Sequence, residues 1–519
     1  MNNIKSKLRK FHQAKWDEQI IFELNTPNER GIYPPKAEKE ITKIVGNGIS
    51  KLPRNMIRKK KPELPEVSQM RVLKHFLRLS QHTLGADFNI DIGQGTCTIK
   101  YNPKINELIS RNPKVTELHP YQDENSVQGA LEIIFKLDLF LREISGLDHF
   151  TFQPPSGSAA ILTMASIVQK YFEVKGEEQI RDEVITTIFS HPSDYSAAAV
   201  KGYKVKMVYN NPQTGLPDME SFKKLISNKT AAIFITNPED TGIFNPEIKL
   251  ITDLAHKNGA ICCYDQANAN GILGITRAKE AGFDMCFFNL HKTFSTPHGC
   301  GGPATGALGV VKKLYNYLPI PNIEYNGKKY ILNNKIKHTI GKVRAYPTVF
   351  PVVLKAYAWI MSLGSEGLKE VANIAVLNNN YLLSKITKIK GASAPYAKGK
   401  RRIEQVRYSW EKLHLDTGVT TEDVTLRMAD FGFHLWSSHH PFIVKQPFTI
   451  EPTEAYSKDE LDEYINALSY ISKEAYSNPD IVKLAPHNSV VHKIDHSWFD
   501  DPTKWSITWR LYKKKHLKK

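Results

Sequence analysis

"FFNLHKTFSTPHGCGG", residues 287–302, places a lysine between the end of an apolar run and a glycine-rich turn. Lysine is rarely buried, because moving its charge out of water costs free energy. A surface turn would explain Lys292 simply. The alternative is that Lys292 is a nucleophilic amine at the end of a core strand, where a cofactor carbonyl group can reach it.

Short apolar runs, rich in β-branched and aromatic residues, alternate with segments of helical periodicity between residues 150 and 311. The predicted strands are 150–153, 183–189, 203–209, 231–236, 260–265, 283–289 and 306–311, and the predicted helices include 159–172, 218–227 and 246–259. Apolar strands that alternate with helices are typical of a doubly wound, mainly parallel sheet. The predicted fold class is therefore α/β.

The rest of the chain predicts a second, smaller domain. Residues 351–386 read as two helices broken near Gly364, and 403–456 contains further strands. We predict an N-terminal arm at 1–70, a large cofactor-binding domain at 71–335, a small C-terminal domain at 336–475 and a basic tail at 476–519.

Composition limits the function classes. Lysine and arginine exceed the acids by 17 charges, with basic runs at 58–61, 398–402 and 512–519. No nucleic-acid-binding motif accompanies these runs, and no apolar segment is long enough to span a membrane, so neither nucleic acid nor a membrane is expected as a partner. An acidic protein partner suits the charge better.

The cysteines and histidines predict neither disulfides nor a metal site. The five cysteines lack disulfide or zinc spacing, and Cys262, Cys263 and Cys286 lie in apolar strand-like runs as small core residues. His439 and His440 are adjacent and lack ligand spacing. A reducing, cytoplasmic setting is expected.

Polar residues follow the predicted strands, where a doubly wound sheet binds its ligands. Lys292 follows one strand, Asp265 ends another, and His191 follows a third. A pyridoxal phosphate (PLP) site needs a lysine to hold the cofactor aldehyde, an acid to keep the pyridine nitrogen protonated and a flat group on the ring. Lys292, Asp265 and His191 fill these roles, although His191 alone suits a structural role and Asp265 a helix cap equally well.

The PLP phosphate has its own candidate site in the turn "SGSAA", residues 156–160. This turn opens a predicted helix, so the backbone N–H groups around Gly157, Ser158 and Ala159 are available to an anion. Ser158 and His291 would add side-chain donors.

Several motifs together resemble the P-protein family of the glycine cleavage system, in particular the second subunit of two-chain glycine dehydrogenase (decarboxylating). They are "GTCTIKYNP" (95–103), "LHPYQD" (118–123), "TNPEDTGIF" (236–244), "YDQANANGILG" (264–274), "NLHKTFSTPHGCGGP" (289–303) and "IEPTEAYS" (450–457). As a set these motifs are highly specific, and the resemblance covers most of the chain.

The resemblance implies a fold-type-I, aspartate-aminotransferase-like PLP enzyme with Lys292 as the Schiff-base lysine. It implies further cofactor contacts at Thr236, Asn237 and Ala267. In this family glycine forms an external aldimine with PLP and loses CO₂, and the aminomethyl group passes to the lipoyl group of the acidic H-protein. A first glycine dehydrogenase subunit is the implied partner, in a homo- or hetero-oligomer. Candidates for substrate contacts are Thr98, Lys100, Tyr101 and Lys342.

Departures from the family pattern keep two alternatives open. Ile92 and Gly93 replace a Tyr-Pro pair, "GSAAI" replaces G-A-H-G-E, "HPSDYSA" replaces H-G-[ST]-N-P-A, Cys300 interrupts a glycine run, and Lys342 replaces an arginine. These changes suit a divergent paralogue that acts on another amino acid without a lipoyl carrier. A non-catalytic subunit is the other alternative, although such a protein has no need of a buried lysine.

Overall fold

A computed structural model of the chain describes residues 8–46, 48, 52–85, 89–93, 100–297, 302–434, 443–490, 492–495, 497 and 499–517. The chain divides into two compact units, one formed by Met1–Arg9 and Ala86–Leu484 and the other by Lys10–Gly85 and Ala485–Lys519. The four segments predicted from the sequence stay a prediction. No helix in the described part of the chain is long and apolar enough to cross a membrane.

The strands and helices alternate through the first half of the larger unit. In chain order the strands are β1 His149–Thr151, β2 Glu183–Thr187, β3 Lys204–Val208, β4 Thr230–Thr236, β5 Ile261–Asp265, β6 Met285–Asn289, β7 Gly306–Val310, β8 Asn322–Tyr325, β9 Tyr330–Asn333, β10 Val406–Ser409 and β11 Pro447–Ile450. The helices are α1 Lys39–Val45, α2 Gln69–Ser80, α3 Lys104–Ser110, α4 Pro113–Thr116, α5 Gln128–Ser145, α6 Gly157–Lys175, α7 Pro192–Val200, α8 Met219–Leu225, α9 Ile248–Lys257, α10 Phe350–Ile386, α11 Glu411–Thr417, α12 Thr421–Ala429, α13 Lys458–Ser477, α14 Pro479–Lys483 and α15 Trp509–Tyr512.

Seven strands form the main sheet in the order β1-β7-β6-β5-β4-β2-β3. Strands β2 to β6 pair in parallel, while β7 runs antiparallel between β6 and β1. Each of the seven predicted strands is present, and the mainly parallel α/β sheet is confirmed. The carboxyl ends of the parallel strands meet at one edge, which is where this fold binds ligands.

Both faces of the sheet are covered by apolar side chains. One face packs against α5, α9 and α10 through residues such as Leu141, Ile251 and Val353. The other packs against α6 and α7 through residues such as Ile161, Met164 and Ala198. Cys262, Cys263 and Cys286 are fully buried free thiols in these two cores, as predicted, whereas Cys97 and Cys300 lie outside the described residues.

The second half of the larger unit has a separate core. The pair β10–β11 and helices α11 to α14 enclose Trp410, Phe448 and Leu461 among other apolar residues. Helix α10 leads into this region and is interrupted at Gly364, whose φ of 65° and ψ of −176° are not helical. The predicted break near Gly364 is therefore confirmed.

The smaller unit contains both ends of the chain. Helix α2 buries His75, whose Nδ1 lies 2.8 Å from Glu18 Oε1. The ring of Phe22 stacks on that of Trp509 with centroids 5.1 Å apart. The N-terminal arm and the basic tail thus pack together rather than extending separately.

Candidate active site

Lys292 lies three residues beyond the end of β6, and only 8% of it is exposed. Asp265 is the last residue of β5, the parallel neighbour of β6, and is paired in register with Phe287. The two strands therefore deliver Lys292 and Asp265 to the same edge of the sheet, close enough for the lysine charge to lower the pKa of Asp265. Their shared role in a cofactor site stays a prediction.

Asp265 is held in an environment suited to a cationic partner. Burial raises its pKa to about 6, against the opposing influence of the Ala267 N–H, which donates to Oδ1 over 2.8 Å, and of Lys292. A cation against a buried carboxylate favours the ionised form and lowers the pKa. A protonated pyridine nitrogen is such a cation, so Asp265 fits the role of its partner.

The turn that opens α6 has the features of a phosphate site. Ser156 caps the helix by accepting a hydrogen bond from the Ala159 N–H over 3.2 Å, and Ser158 is exposed. The N–H groups of Gly157 and Ser158 have no acceptor within the helix, as in any first helical turn. A Cβ atom on Gly157 would lie 2.7 Å from Asn289 Nδ2, so glycine permits the close approach of α6 to the end of β6.

His191 is the N-cap residue of α7 and follows the end of β2. Its Nδ1 atom lies 2.7 Å from Ser193 Oγ and 3.1 Å from the Ser193 backbone nitrogen. These contacts fix the orientation of a half-buried imidazole. The ring can therefore present a face at the same edge of the sheet, as stacking on a cofactor requires.

The further predicted cofactor residues take different positions. Thr236 ends β4, and its backbone N–H donates to Ser190 Oγ over 3.1 Å. Asn237 uses its side chain to hold the backbone of Asn245, at 2.8 and 3.3 Å, so it shapes its own loop. Ala267 accepts a hydrogen bond from the Asn289 N–H over 3.2 Å, and His291 is buried beside Lys292.

Of the predicted substrate residues, Lys100 and Tyr101 lie near the lysine turn or the buried acids. Lys100 is a buried cation, with Nζ 3.0 Å from Glu454 Oε2 and 5.0 Å from the centre of the Trp359 ring. The carbonyl of Tyr101 accepts a hydrogen bond from Ser295 Oγ, which places the Tyr101 backbone beside the lysine turn.

Lys342 lies on the surface rather than in this cluster. Lys342 is exposed, with Nζ 5.8 Å from the centre of the Tyr121 ring, and it lines a surface depression of about 360 Å³ together with that tyrosine. Thr98 lies outside the described residues. Lys100 is therefore the candidate that the structure brings closest to the site chemistry.

A carboxylate from the C-terminal half, Glu451, also reaches the site and was missed in the sequence. Glu451 follows β11 and is fully buried, and its Oε1 atom accepts hydrogen bonds from Asn268 Nδ2 and Asn270 Nδ2, each over 2.6 Å. Burial raises the pKa of Glu451 to about 7, although the charges of Lys292 and Lys100 oppose this rise. The polar run after β5 and the "IEPTE" stretch can both be recognised in the sequence. They are too far apart along the chain for any local pattern to show that they are in contact.

Two further buried acids surround the same edge. Burial and the charge of Asp265 raise the pKa of Asp194 well above its ordinary value, and Asp194 Oδ1 has no hydrogen-bond partner in the described part of the chain. Burial, followed by the charge of Glu451, does the same to Glu404. Burial thus raises the pKa values of several acids at this edge of the sheet.

One other polar cluster, formed by His256, Cys262 and Asp284, brings metal-ligating atoms within 4.8 Å of one another. The Asp284 carboxylate is already engaged by Lys313 Nζ at 2.6 Å, His256 Nε2 at 2.9 Å and the Cys262 N–H at 2.9 Å. Burial raises the pKa of the Cys262 thiol, which makes a thiolate ligand unfavourable. The cluster is a partly exposed ion-pair network that joins α9 and β5 to the residue before β6.

Two family models match the chain. One, described as "Aminotransferase class-V", covers residues 159–404, and the other, described as "Glycine dehydrogenase, C-terminal domain", covers 371–496. Among solved structures, "Crystal structure of glycine decarboxylase (P-protein) of the glycine cleavage system, in inhibitor-bound form" superposes with a TM-score of 0.70 at 18% identity, over 85% of this chain and 99% of that one. The fold-type-I prediction is confirmed.

Several relatives are similar over almost their whole length. A "Probable glycine dehydrogenase (decarboxylating) subunit 2" of Pyrococcus furiosus is 44% identical over 97% of this chain and 98% of its own. The protein of the same description from Thermococcus kodakarensis is 43% identical over 97% and 98%. That from Thermotoga petrophila is 41% identical over 86% and 92%.

Proposed function

The chain belongs to the glycine dehydrogenase (decarboxylating) subunit 2 family, as its motifs predicted, and on this premise we propose that it is the PLP-binding subunit of a glycine decarboxylase. The observation that carries the proposal is the pairing of a buried lysine, Lys292, with a buried acid, Asp265, at the carboxyl edge of an aminotransferase-like sheet. A solvated surface turn would supply neither the burial nor the acid. This favours an enzyme over a non-catalytic subunit.

The residues at this edge fit PLP. When bound, PLP withdraws electrons from Cα of an amino acid and so permits loss of its carboxylate. Lys292 would hold the aldehyde carbon, Asp265 would pair with the ring nitrogen, and His191 would cover a ring face. The opening turn of α6, Gly157 to Ala159, would receive the phosphate at the positive end of a 19-residue helix.

The substrate we propose is glycine, a small amino acid with one carboxylate to bind. Lys100 is the candidate cation for that carboxylate, because it is buried, lies over the Trp359 ring and has one acid of the described chain, Glu454, within ion-pair distance of its Nζ atom. A substrate carboxylate can compete with Glu454 for this ammonium group. The Lys100 side chain is fully buried, which suits a small substrate better than a long one.

The proposed partners are a first glycine dehydrogenase subunit and an acidic lipoyl-bearing carrier protein. Exposed apolar side chains support a subunit contact: on α3 they are Ile105 and Leu108, and on α2 they are Leu73 and Leu77. Such residues are usually covered in an assembly. The net charge of +17 favours an acidic carrier. Three buried free thiols are compatible with the reducing, cytoplasmic setting that we propose.

The proposal is tested by loading the purified chain with PLP, reducing it with borohydride and mapping the modified peptide by mass spectrometry. We expect the label on Lys292 and none in Lys292→Ala. Glycine should then change the visible absorption of the loaded protein, and exchange of labelled CO₂ should require the first subunit and a lipoylated carrier. PLP on Lys292 with no response to glycine, in the presence of both partners, would instead favour the paralogue that acts on another amino acid.

A further inference from the structure

We infer that Glu451 is a positioning residue that clamps the loop after β5 onto the lysine turn and brings a carboxylate charge to act on the Lys292 amine. This inference rests on the proposed function, because it assigns a role toward the same lysine. It concerns a residue that lies 159 positions beyond Lys292 (451 − 292) and enters the site from the C-terminal core.

The clamp is a continuous set of hydrogen bonds. Glu451 Oε1 accepts from the side-chain amides of Asn268 and Asn270, each over 2.6 Å. Between these two residues, the Ala269 N–H donates to Thr293 Oγ1 over 2.8 Å. Thr293 follows Lys292 directly, so Glu451 fixes the two neighbours of the residue that bonds the loop carrying Asp265 to the turn carrying the lysine.

Glu451 is itself held in place by its backbone. Its N–H donates to the carbonyl of Ile92 over 3.0 Å, and its side chain is fully buried. The Glu451 carboxylate accepts both amide hydrogen bonds with one oxygen, and the oxygen of a neutral glutamine could accept the same two bonds. Holding the loop therefore does not require the negative charge. The second oxygen therefore requires its own explanation.

The second oxygen, Oε2, is buried and has no hydrogen-bond partner among the described residues. The titratable groups that influence Glu451 are the ammonium groups of Lys292 and Lys100 and the carboxyl of Glu404, whose own pKa is raised by Glu451. Lys100 is neutralised by Glu454 at 3.0 Å. No acid in the described part of the chain, Glu451 included, lies within ion-pair distance of the Lys292 amine, so the Glu451 charge acts on the site lysine at longer range.

Two substitutions separate the clamp from the charge. Glu451→Gln keeps an oxygen for Asn268 and Asn270 but removes the charge, whereas Glu451→Ala removes both. Glu220→Gln is the matched control, because Glu220 is an exposed glutamate that pairs with Lys223 on α8. We expect Glu451→Ala to weaken PLP binding by about tenfold or more, and Glu451→Gln by only a few-fold.

The charge is read from two pH titrations. In the PLP-loaded protein, the pH midpoint of the visible absorption change should fall by about half a unit or more in Glu451→Gln, because a nearby anion favours the protonated form of the lysine nitrogen. In the protein without PLP, a carboxyl whose pKa is raised on folding contributes stability that is present at low pH and is lost as the pH rises through about 7. The unfolding temperature of wild type should therefore fall relative to that of Glu451→Gln between pH 5 and pH 8.

The outcomes distinguish this inference from the proposed function. Unchanged PLP affinity in Glu451→Ala, or an unchanged absorption midpoint in Glu451→Gln, would overturn the assignment of Glu451 while leaving PLP on Lys292 intact. If wild type carries no PLP on Lys292, the proposed function fails, and the stability titration still decides whether Glu451 holds a proton in the folded chain. If Glu451→Ala does not fold, Glu451→Gln decides alone.

Discussion

Gly242→Ala should be far more damaging than an ordinary glycine substitution, because it would disrupt the contact between the sheet and the C-terminal core. Gly242 has a φ of +74°, and a Cβ atom there would lie 1.8 Å from the backbone carbonyl oxygen of Gln405. Real Cβ atoms do not approach closer than about 3.0 Å, so the two segments would have to separate by roughly 1.2 Å. Neither atom belongs to a flexible side chain.

The magnitude follows from three costs. The left-handed backbone conformation costs alanine about 1–2 kcal/mol. Forcing an extra carbon into a packed contact costs about 1–3 kcal/mol. The hydrogen bond from the Ile403 N–H to the Gly242 carbonyl, 2.8 Å long, would be strained or lost, at about 1 kcal/mol. We expect a loss of about 4 kcal/mol in the free energy of unfolding.

Gly202→Ala is the matched control. Gly202 has a similar φ of +87°, but a Cβ atom there would meet nothing within 4 Å. Its substitution should cost only about 1–2 kcal/mol. Urea unfolding followed by far-UV circular dichroism measures both variants. Equal losses for Gly242→Ala and Gly202→Ala would refute the claim that the close approach to Gln405 sets the cost.

Three further predictions concern the site and its acids. Gly157→Ala should weaken PLP binding about tenfold or more, because the added Cβ atom would lie 2.7 Å from Asn289 Nδ2. Gly129→Ala is the control and should leave PLP affinity unchanged, because a Cβ atom there would meet nothing within 4 Å. Titration of the apo-protein with PLP compares the two variants. Asp265→Asn should retain PLP on Lys292 but lose most decarboxylation, because the ring nitrogen would no longer be held protonated; borohydride mapping and CO₂ release measure the two effects separately. Burial raises the pKa of Glu239 to about 7, so the stability that its carboxyl contributes is present below about pH 4.5 and is lost as the pH rises through 7. Glu239→Gln should therefore reduce the difference in unfolding free energy between pH 4.5 and pH 8 by about 3 kcal/mol. An unaltered difference would contradict this.

The main sheet was predictable from the sequence because its strands are buried on both faces. β4 and β5 read as unbroken apolar runs, and a fully buried strand needs little from its neighbours to be recognised. Polar residues directly after such runs, including Asp265 and Lys292, were predictable for the same reason. The break in α10 was visible because Gly364 interrupts an otherwise helical pattern.

The parts that could not be predicted depend on contacts between distant segments. Glu451 and Asn268 are far apart in sequence, and only the packing of the C-terminal core brings them within 2.6 Å. Arg402 belongs to the basic run 398–402, yet it is buried and donates to the carbonyls of Tyr396, Lys400 and Ala397. Charge in a local window does not reveal which cation a loop will fold around.

The edge of the main sheet has a consequence for folding during synthesis. β1 pairs only with β7, with His149 opposite Val310, so the first strand must wait for the last before it gains a neighbour. The parallel strands between them can associate in the order in which they leave the ribosome, and the sheet closes once residue 310 has emerged. Glu451 follows much later. Synthesis therefore delivers Lys292, Asp265 and the opening turn of α6 well before Glu451. The loop after β5 gains its two hydrogen bonds to the Glu451 carboxylate only late in synthesis.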